Sequence, residues 1–458
     1  MIENDAFKLL LINLFHLNPD DIANILCTTF NKMMVLVVTL TDKHQACPYC
    51  GFTAPKIKEY VTKEITHSAL TTQKCIIKYR ARRYKCSCCG KTYYEFNPFV
   101  FKSQKISILT VHNILKDLKD FNETFTSVAR RYHVSPTSVS TIFDKHVDIG
   151  RNPLPEIINF DEVYAFKSEK SKYVCVLLDF KKQIPVDVLP NRKKEYLLNY
   201  FQKIPLEERK KVKYACSDMY EVYRDVVHKV FPESKHLLDY FHLSQDFHKK
   251  MNEVRIKVMK GYKDNKASDE YYLLKKFNWL LFKNPEDEDK YGRLFDVERE
   301  RKYNSHFKSY MNYYDLRKKL LEINNDLTIC YSLKLELVDF YSKSTIDNAK
   351  VNLENLIRSC IDTNIDEMIA FSNNLINWKQ EIINSFTIVG TEYKVEADKG
   401  QVVVCNKKVN NAIIENRNKI IKCIKNNANG YTNWSRFRNR VMYVLDPNAT
   451  FSLEPREK

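Results

Sequence analysis

The chain has 458 residues, 44% of them hydrophobic and 29% charged, which is too long for one compact core and ordinary for a water-soluble protein of two to four domains. Its 74 Lys+Arg against 57 Asp+Glu leave a net charge of +17, an excess that favours a polyanionic partner, either nucleic acid or an anionic membrane surface. No apolar run approaches the roughly 18 residues needed to span a bilayer. Glu3 and Asp5 stand where a signal peptide carries basic residues, so a cytoplasmic nucleic-acid binder is expected and no membrane partner.

Residues 1–42 read as a helix followed by a strand over 34–39. Residues 43–105 hold thirteen Lys/Arg against Glu59, Glu64 and Glu95, so this stretch alone carries +10. Within it, Cys47-Pro48-Tyr49-Cys50-Gly51 and Cys86-Ser87-Cys88-Cys89-Gly90 form two CxxCG knuckles, with room for a small β-ribbon between them. Each knuckle offers two thiolates on one side of a tight turn that glycine eases, and structural Zn²⁺ takes four such sulfurs. Other cysteines sit singly in apolar segments (Cys27, Cys175, Cys216), as reduced thiols do rather than members of a disulfide framework. Cys47, Cys50, Cys86 and Cys89 are therefore the expected ligands of one structural Zn²⁺, with Cys75 and Cys88 spare; buried or redox-active thiols are the alternative. Arg80, Arg82, Arg83 and Lys85, interleaved with Tyr79 and Tyr84, suit phosphate contacts, against the plainer reading of a solvated face.

Residues 106–150 carry helical periodicity. A helix over 125–132, a turn at His133-Val134-Ser135 and a helix over 136–143 would pack through Ala129, Val134, Val139 and Ile142, with Ser135 as N-cap and Pro136 at N1. In a helix-turn-helix, Ser138, Ser140 and Thr141 are then placed to reach base edges, although other helical hairpins share the pattern. Pro153 and Pro155 mark a linker. Strands follow at 157–161, 173–180 and 184–189, then helix 193–202, strand 212–217, helix 220–229, strand 235–239 and helix 241–260. Residues 261–390 are long, charged and helical, and a last helix over 409–425 aligns Val409, Ile413, Ile420 and Ile424. Only eight glycines argue against a glycine-rich phosphate loop.

Two strands end on carboxylates, Asp161 and Asp218. Acidic groups at the rim of an α/β sheet can hold two Mg²⁺ or Mn²⁺ ions and clamp an in-line phosphoryl displacement. Taken alone, an Asp at a strand end is more often a cap or an ion-pair partner. The order of three strands, then helix, strand, helix, strand, is that of a ribonuclease-H-like sheet.

Several segments together carry a family likeness: Phe160-Asp161-Glu162, Asn191-Arg192-Lys193-Lys194, Cys216-Ser217-Asp218-Met219-Tyr220, Asp239-Tyr240-Phe241-His242, and the run from Asn411 through Glu415 and Asn418 to Lys422. From the Cys47 knuckle to about Pro447 the chain resembles the DDE transposases of the ISL-three family of bacterial insertion sequences. The resemblance implies Asp161, Asp218 and Glu415 as a catalytic triad holding two Mg²⁺ (or Mn²⁺) ions. It implies Arg192 and Lys422 as contacts to the DNA backbone, and Asn418 as a candidate for contacts to the element ends. Asp239 and His242 form a DxxH arrangement that several DDE families share, read as structural or DNA-positioning rather than metal-ligating. Ala412 and Asn416 depart from the family, which usually has glycine at both positions.

The expected fold is a multidomain α/β protein: a ribonuclease-H-like mixed sheet interrupted by an all-α insertion and preceded by a zinc ribbon and a helix-turn-helix. Its segments are 1–42 (helix and strand), 43–105 (zinc-binding), 106–150 (helix-turn-helix), 151–260 and 395–447 (catalytic), 261–394 (helical insertion) and 448–458 (tail). The expected function is a nucleoid-associated transposase that binds the terminal inverted repeats of its element as a homodimer or higher assembly. It would cleave DNA strands and transfer them to target DNA. The alternative is a catalytically inactive or domesticated DNA-binding regulator.

Overall fold

The computed structural model describes residues 2–456 apart from positions 44, 54, 69, 71, 102–103, 167–170 and 396–401. Helix α1 (Ile2–Leu14) precedes strands β1 (Ile22–Phe30), β2 (Met33–Leu40), β3 (Lys56–Thr66), β4 (Cys75–Lys85) and β5 (Thr92–Tyr94). These strands make one sheet in the order β1-β2-β4-β3, with β5 on β4. Asn31 and Lys32, at φ +49° and +61°, make the tight turn that pairs β1 with β2. The helix and the strand over 34–39 are present, but β1 is additional, because its buried residues Ile22 and Ile25 do not alternate. Residues 34–38 pair in parallel with 75–79, so the N-terminal segment and the cysteine-rich ribbon share one sheet, closed by Phe15, Leu36, Ile77 and Tyr79. Local periodicity has no means to reveal that pairing.

Helices α2 (Ile108–Asp117), α3 (Phe125–Arg131) and α4 (Pro136–His146) pack around Leu115, Val128, Ala129, Val139 and Phe143. Thr124 and Ser127 form a capping box on α3, and Ser135 caps α4 with Pro136 in its first turn. Between them His133 takes φ +53°.

A second sheet contains β6 (Ile157–Val163), β7 (Val174–Asp179), β8 (Pro185–Leu189), β9 (Tyr214–Ser217) and β10 (Lys235–Leu238) in the order β10-β9-β6-β7-β8. The β10–β9 and β9–β6 pairs are parallel, and β6–β7 and β7–β8 antiparallel. Its strands are buried on both faces, hence their near-continuous apolar runs. Helix α5 (Lys194–Gln202) and, after a short α6 (Leu206–Arg209), helix α7 (Glu221–Val230) cover one face through Leu197, Phe201, Val226 and Val230.

Helix α8 (Tyr240–Lys260) leaves the end of β10 and enters an insertion with its own core. Leu243, Phe247, Met251 and Val254 of α8 belong to that core together with Leu238 of β10, so the insertion packs directly on the end of the sheet. It continues with α9 (Asp269–Lys276), two small hairpins (β11 Glu288–Asp289 with β12 Gly292–Arg293; β13 Lys302–Asn304 with β14 Ser309–Met311), and helices α10 (Tyr313–Glu322), α11 (Asn325–Lys343), α12 (Ala349–Asp362), α13 (Asp366–Asn377) and α14 (Lys379–Asn384). The hairpins make the insertion mostly rather than wholly helical. A longer hairpin, β15 (Ile388–Val395) and β16 (Val402–Lys408), returns the chain to the second sheet.

There α15 (Ala412–Asn427) and α16 (Trp434–Leu445) cover the other face of the sheet, burying Ile414, Ile421, Phe437 and Val441 against Val174, Val176 and Val188. Helix α16 also clasps the α2–α4 unit. Buried Arg440 donates to the carbonyls of Asp120 and Glu123, and the Tyr443 hydroxyl donates to Leu115. The segment after α16 continues this contact, with Ser452 O bonded to His146 and Arg456 paired to Asp148.

Candidate active site

The two cysteine knuckles meet at the end of the first sheet. Gly51 and Gly90 take φ +75° and +71°, the left-handed conformation that each turn requires. Cys47 Sγ lies 3.7 Å from Cys89 Sγ and Cys50 Sγ 3.5 Å from Cys86 Sγ, and all four sulfurs fall within 4.8 Å of one another. Sulfurs at 2.3 Å around one tetrahedral ion sit about 3.8 Å apart, so the donor set fits zinc. Backbone N–H groups of Cys89 and Cys88 point at Cys86 Sγ and pull its pKa down to about 7, towards the thiolate a metal needs. Cys88 is exposed and Cys75 lies in the sheet core, and neither joins the group.

The basic residues beside the knuckles divide. Arg80 is exposed over the Tyr60 ring, and Lys85 is exposed. Arg83 pairs with Glu59 at 2.6 Å, and Arg82 is tied to Glu95 at 2.7 Å and to Leu40 O, its side chain 13% exposed. Arg82 is thus a structural tie rather than a phosphate contact, an outcome that Glu95, ten residues past Lys85, did not announce. On α4 the Ser138 and Ser140 hydroxyls bond within their own helix, to Ser135 Oγ and Thr137 O, while Thr141 is exposed.

The carboxylates collect at one rim of the second sheet. Asn159 of β6 pairs with Cys216 of β9, so Asp161 within β6 and Asp218 just past the end of β9, each two residues further on, stand at the same level. Strand β6 does not stop at Asp161, since its ladder with β7 runs on to Val163. Helix α15 packs across β6 and brings Glu415 from its first turn to the same rim. Its N-terminus is held by a buried clasp: Asn159 Nδ2 donates to Asn411 Oδ1 at 2.7 Å, and Asn411 Nδ2 donates to Phe160 O at 3.2 Å. One turn past Glu415, Asn418 Nδ2 donates to Asp161 Oδ2 at 2.7 Å. Asn418 is buried, so it orients Asp161 and is not placed for an exposed contact to DNA ends. Asp239 and His242, at the start of α8, join Glu415 with donor atoms within 4.8 Å of one another. Asp161 and Asp218 border that group without entering it.

The electrostatics are those of an anionic site short of cations. Burial pushes the Asp161 carboxyl up to about 7, with Asp218 adding to the rise against the Glu162 N–H. Asp218 is pushed up to about 6 by burial and by Glu162, against His242 and Arg192. Arg192, expected on DNA, is bonded to Glu162 and held between the rings of Tyr173 and Tyr220, 4.7 Å from each. Asp218 Oδ1, Asp239 Oδ2 and His242 Nε2 are buried without a hydrogen-bond partner among the described residues. Orphaned donors of metal-ligand type beside carboxylates that resist ionisation fit a site for divalent cations. Lys422 is exposed two turns past Glu415, and Ala412 and Asn416 are exposed on α15. Sequence reasoning gave no role to Asn159 and quoted Glu162 and Asn411 only inside family-like segments; the signal available was an asparagine inside the apolar run 157–160.

Among the described residues no helix is long and apolar enough to cross a membrane. The family profile DDE_Tnp_ISL3, described as a transposase, matches residues 158–397, just over half of the chain, and ends before Glu415. A transposase for insertion sequence element IS1001 of Bordetella parapertussis is 19% identical over 411 residues, spanning 89% of this chain and 91% of its own length. With its mixed α/β architecture and a profile match that includes both rim aspartates, the chain belongs to the DDE transposases of the ISL-three family.

Proposed function

We propose that this transposase binds the terminal inverted repeats of its insertion sequence, cleaves a strand at each end and joins the freed 3′-hydroxyl to target DNA. Asp161 and Asp218 at one level of the sheet rim, with Glu415 brought to them by α15, carry the reading. The sheet order agrees with a ribonuclease-H-like catalytic domain made of residues 151–260 and 395–447 around the insertion. When bound, two Mg²⁺ or Mn²⁺ ions supply a Lewis acid for the scissile phosphate and an activated oxygen nucleophile. Asp161, Asp218 and Glu415 hold them; Asn418 keeps Asp161 in register, and Arg192 fixes Glu162 beside Asp218. The rest of the catalysis is positioning of DNA in line with that rim.

The four-cysteine zinc ribbon, with Arg80 and Lys85 exposed, and the α3–α4 helix-turn-helix with Thr141 recognise the ends. Lys422 contacts the backbone beside the catalytic rim. Two ends must be brought together, so the working form is a dimer or larger assembly on DNA in the bacterial cytoplasm, at the nucleoid. The test is a cleavage assay on DNA carrying the element's own flanks. Wild type nicks it with Mg²⁺ or Mn²⁺, while Asp161→Ala, Asp218→Ala and Glu415→Ala bind it and do not cut. Full cleavage by Glu415→Ala refutes the triad, and binding without cleavage by wild type identifies an inactive regulator.

A further inference from the structure

We infer that Asp239, His242 and Glu415 together bind a divalent first-row transition-metal ion, so that Glu415 shares its ion with the start of α8 rather than with Asp161 alone. The inference rests on the two-ion reading above and alters which residues serve the ion at Glu415.

Asp239 is the N-cap residue of α8, where an aspartate ordinarily accepts from the N–H groups of the first turn. Its side chain makes no full capping bond, although the Phe241 N–H lies close enough to favour the carboxylate. Oδ1 instead accepts from the backbone N–H of Asn411 at 3.3 Å, and Oδ2 is buried without a partner among the described residues, in a residue 3% exposed. One turn along, His242 Nε2 is also buried and unpartnered, 3.9 Å from that same oxygen.

A gap of 3.9 Å is too long for a hydrogen bond. Two donors about 2.1 Å from one ion lie roughly 3–4 Å apart, which is the separation found here. Glu415 brings a third donor within 4.8 Å. The arrangement is held from outside the group, because Asn411 grips Asp239 through its backbone and β6 through its side chain. Two buried polar atoms left apart destabilise the fold unless something sits between them. The imidazole nitrogen sets the class of ion: Mg²⁺ prefers all-oxygen surroundings, whereas first-row transition ions accept nitrogen. Asp161 and Asp218, with oxygen donors only, keep the Mg²⁺-tolerant position.

The test loads full-length protein with Mn²⁺ and reads directly coordinated ¹⁴N by pulsed electron paramagnetic resonance. Wild type shows an imidazole ¹⁴N coupling. His242→Gln abolishes it and Asp239→Asn weakens Mn²⁺ binding about tenfold or more. Asp161→Ala, which disables cleavage under the reading above, leaves the coupling in place. Mn²⁺ bound without ¹⁴N coupling, coupling that survives His242→Gln, or no Mn²⁺ bound at all overturns the inference. Cleavage in Mg²⁺ alone tests the underlying reading separately, so the two can fail independently.

Discussion

Substituting Asp218→Asn should abolish cleavage and yet stabilise the metal-free protein. Asp218 Oδ1 is buried without a partner among the described residues, so an amide at that position loses no hydrogen bond there. The carboxyl rises from 3.8 to about 6 on folding, chiefly through burial and the charge of Glu162. Two pKa units correspond to about 3 kcal/mol of differential stability. The folded pKa is raised, so the native state favours the protonated acid: the penalty is absent below pH 3.8, grows between 3.8 and about 6, and is complete at pH 8. Asparagine removes it. At about 2–4 °C per kcal/mol for a unit of 150–250 residues, the melting temperature of the sheet unit should rise by roughly 6–12 °C at pH 8, with partial relaxation reducing that figure. The assay is scanning calorimetry in Mg²⁺-free buffer without chelator, so that an ion on the four cysteines is not stripped. Mn²⁺ should then raise the wild-type melting temperature by more than the variant's, which keeps only the ion of Asp239, His242 and Glu415. A variant no more stable than wild type at pH 8, or one whose advantage persists undiminished at pH 4, refutes the reasoning.

Three further expectations concern the residues around the two sites. Asn418→Ala removes the bond that orients Asp161 and should slow Mg²⁺-dependent cleavage about 10–100-fold without changing end binding, measured by single-turnover nicking. Stripping zinc, or substituting Cys86→Ala, should release the knuckles and abolish end binding, while circular dichroism retains the helical signal of the insertion. Arg82→Ala and Arg80→Ala should part company. The first leaves Glu95, 6% exposed, with only the backbone N–H of residue 82 and no cation, and lowers stability by about 1–3 kcal/mol in denaturant titration. The second keeps stability and reduces the salt dependence of DNA binding by about one phosphate contact.

Legibility from sequence followed the range of the interactions. The strands and helices between residues 157 and 260 are written in local apolar runs, and they lie within a few residues of where those runs put them. The cysteine knuckles were legible because four ligands in two CxxC turns carry their own geometry. Pairings between distant segments were not. The parallel match of residues 34–38 with 75–79, the Arg82–Glu95 tie and the clasp of α16 on the α2–α4 unit each depend on which surfaces the rest of the chain leaves open. Spacing alone did not place Glu415 either; family likeness named it, and the packing of α15 on β6 brings it to the rim.

The clasp between Asn159 and Asn411 shows why the site needs more than its acids. Strand β6 is buried on both faces, and a polar side chain there must find a partner. Asn159 finds one 252 residues away, at the residue that begins α15, and a second in Asn410 O. Asn411 then reaches Phe160 O and Asp239, so one buried amide sets the spacing between the strand of Asp161, the helix of Glu415 and the start of α8. Asn159→Ala removes the donor and leaves Asn411 Oδ1 and Asn410 O without it, a loss of about 1–3 kcal/mol. The strand has five-stranded support and α15 has only its docking, so the cost should appear as local opening of α15 rather than global unfolding. Hydrogen exchange should accelerate about 5–100-fold at the amides of 412–418, with β6 amides unchanged and cleavage falling in parallel. Equal acceleration in β6 would mean that the clasp holds the sheet rather than the helix.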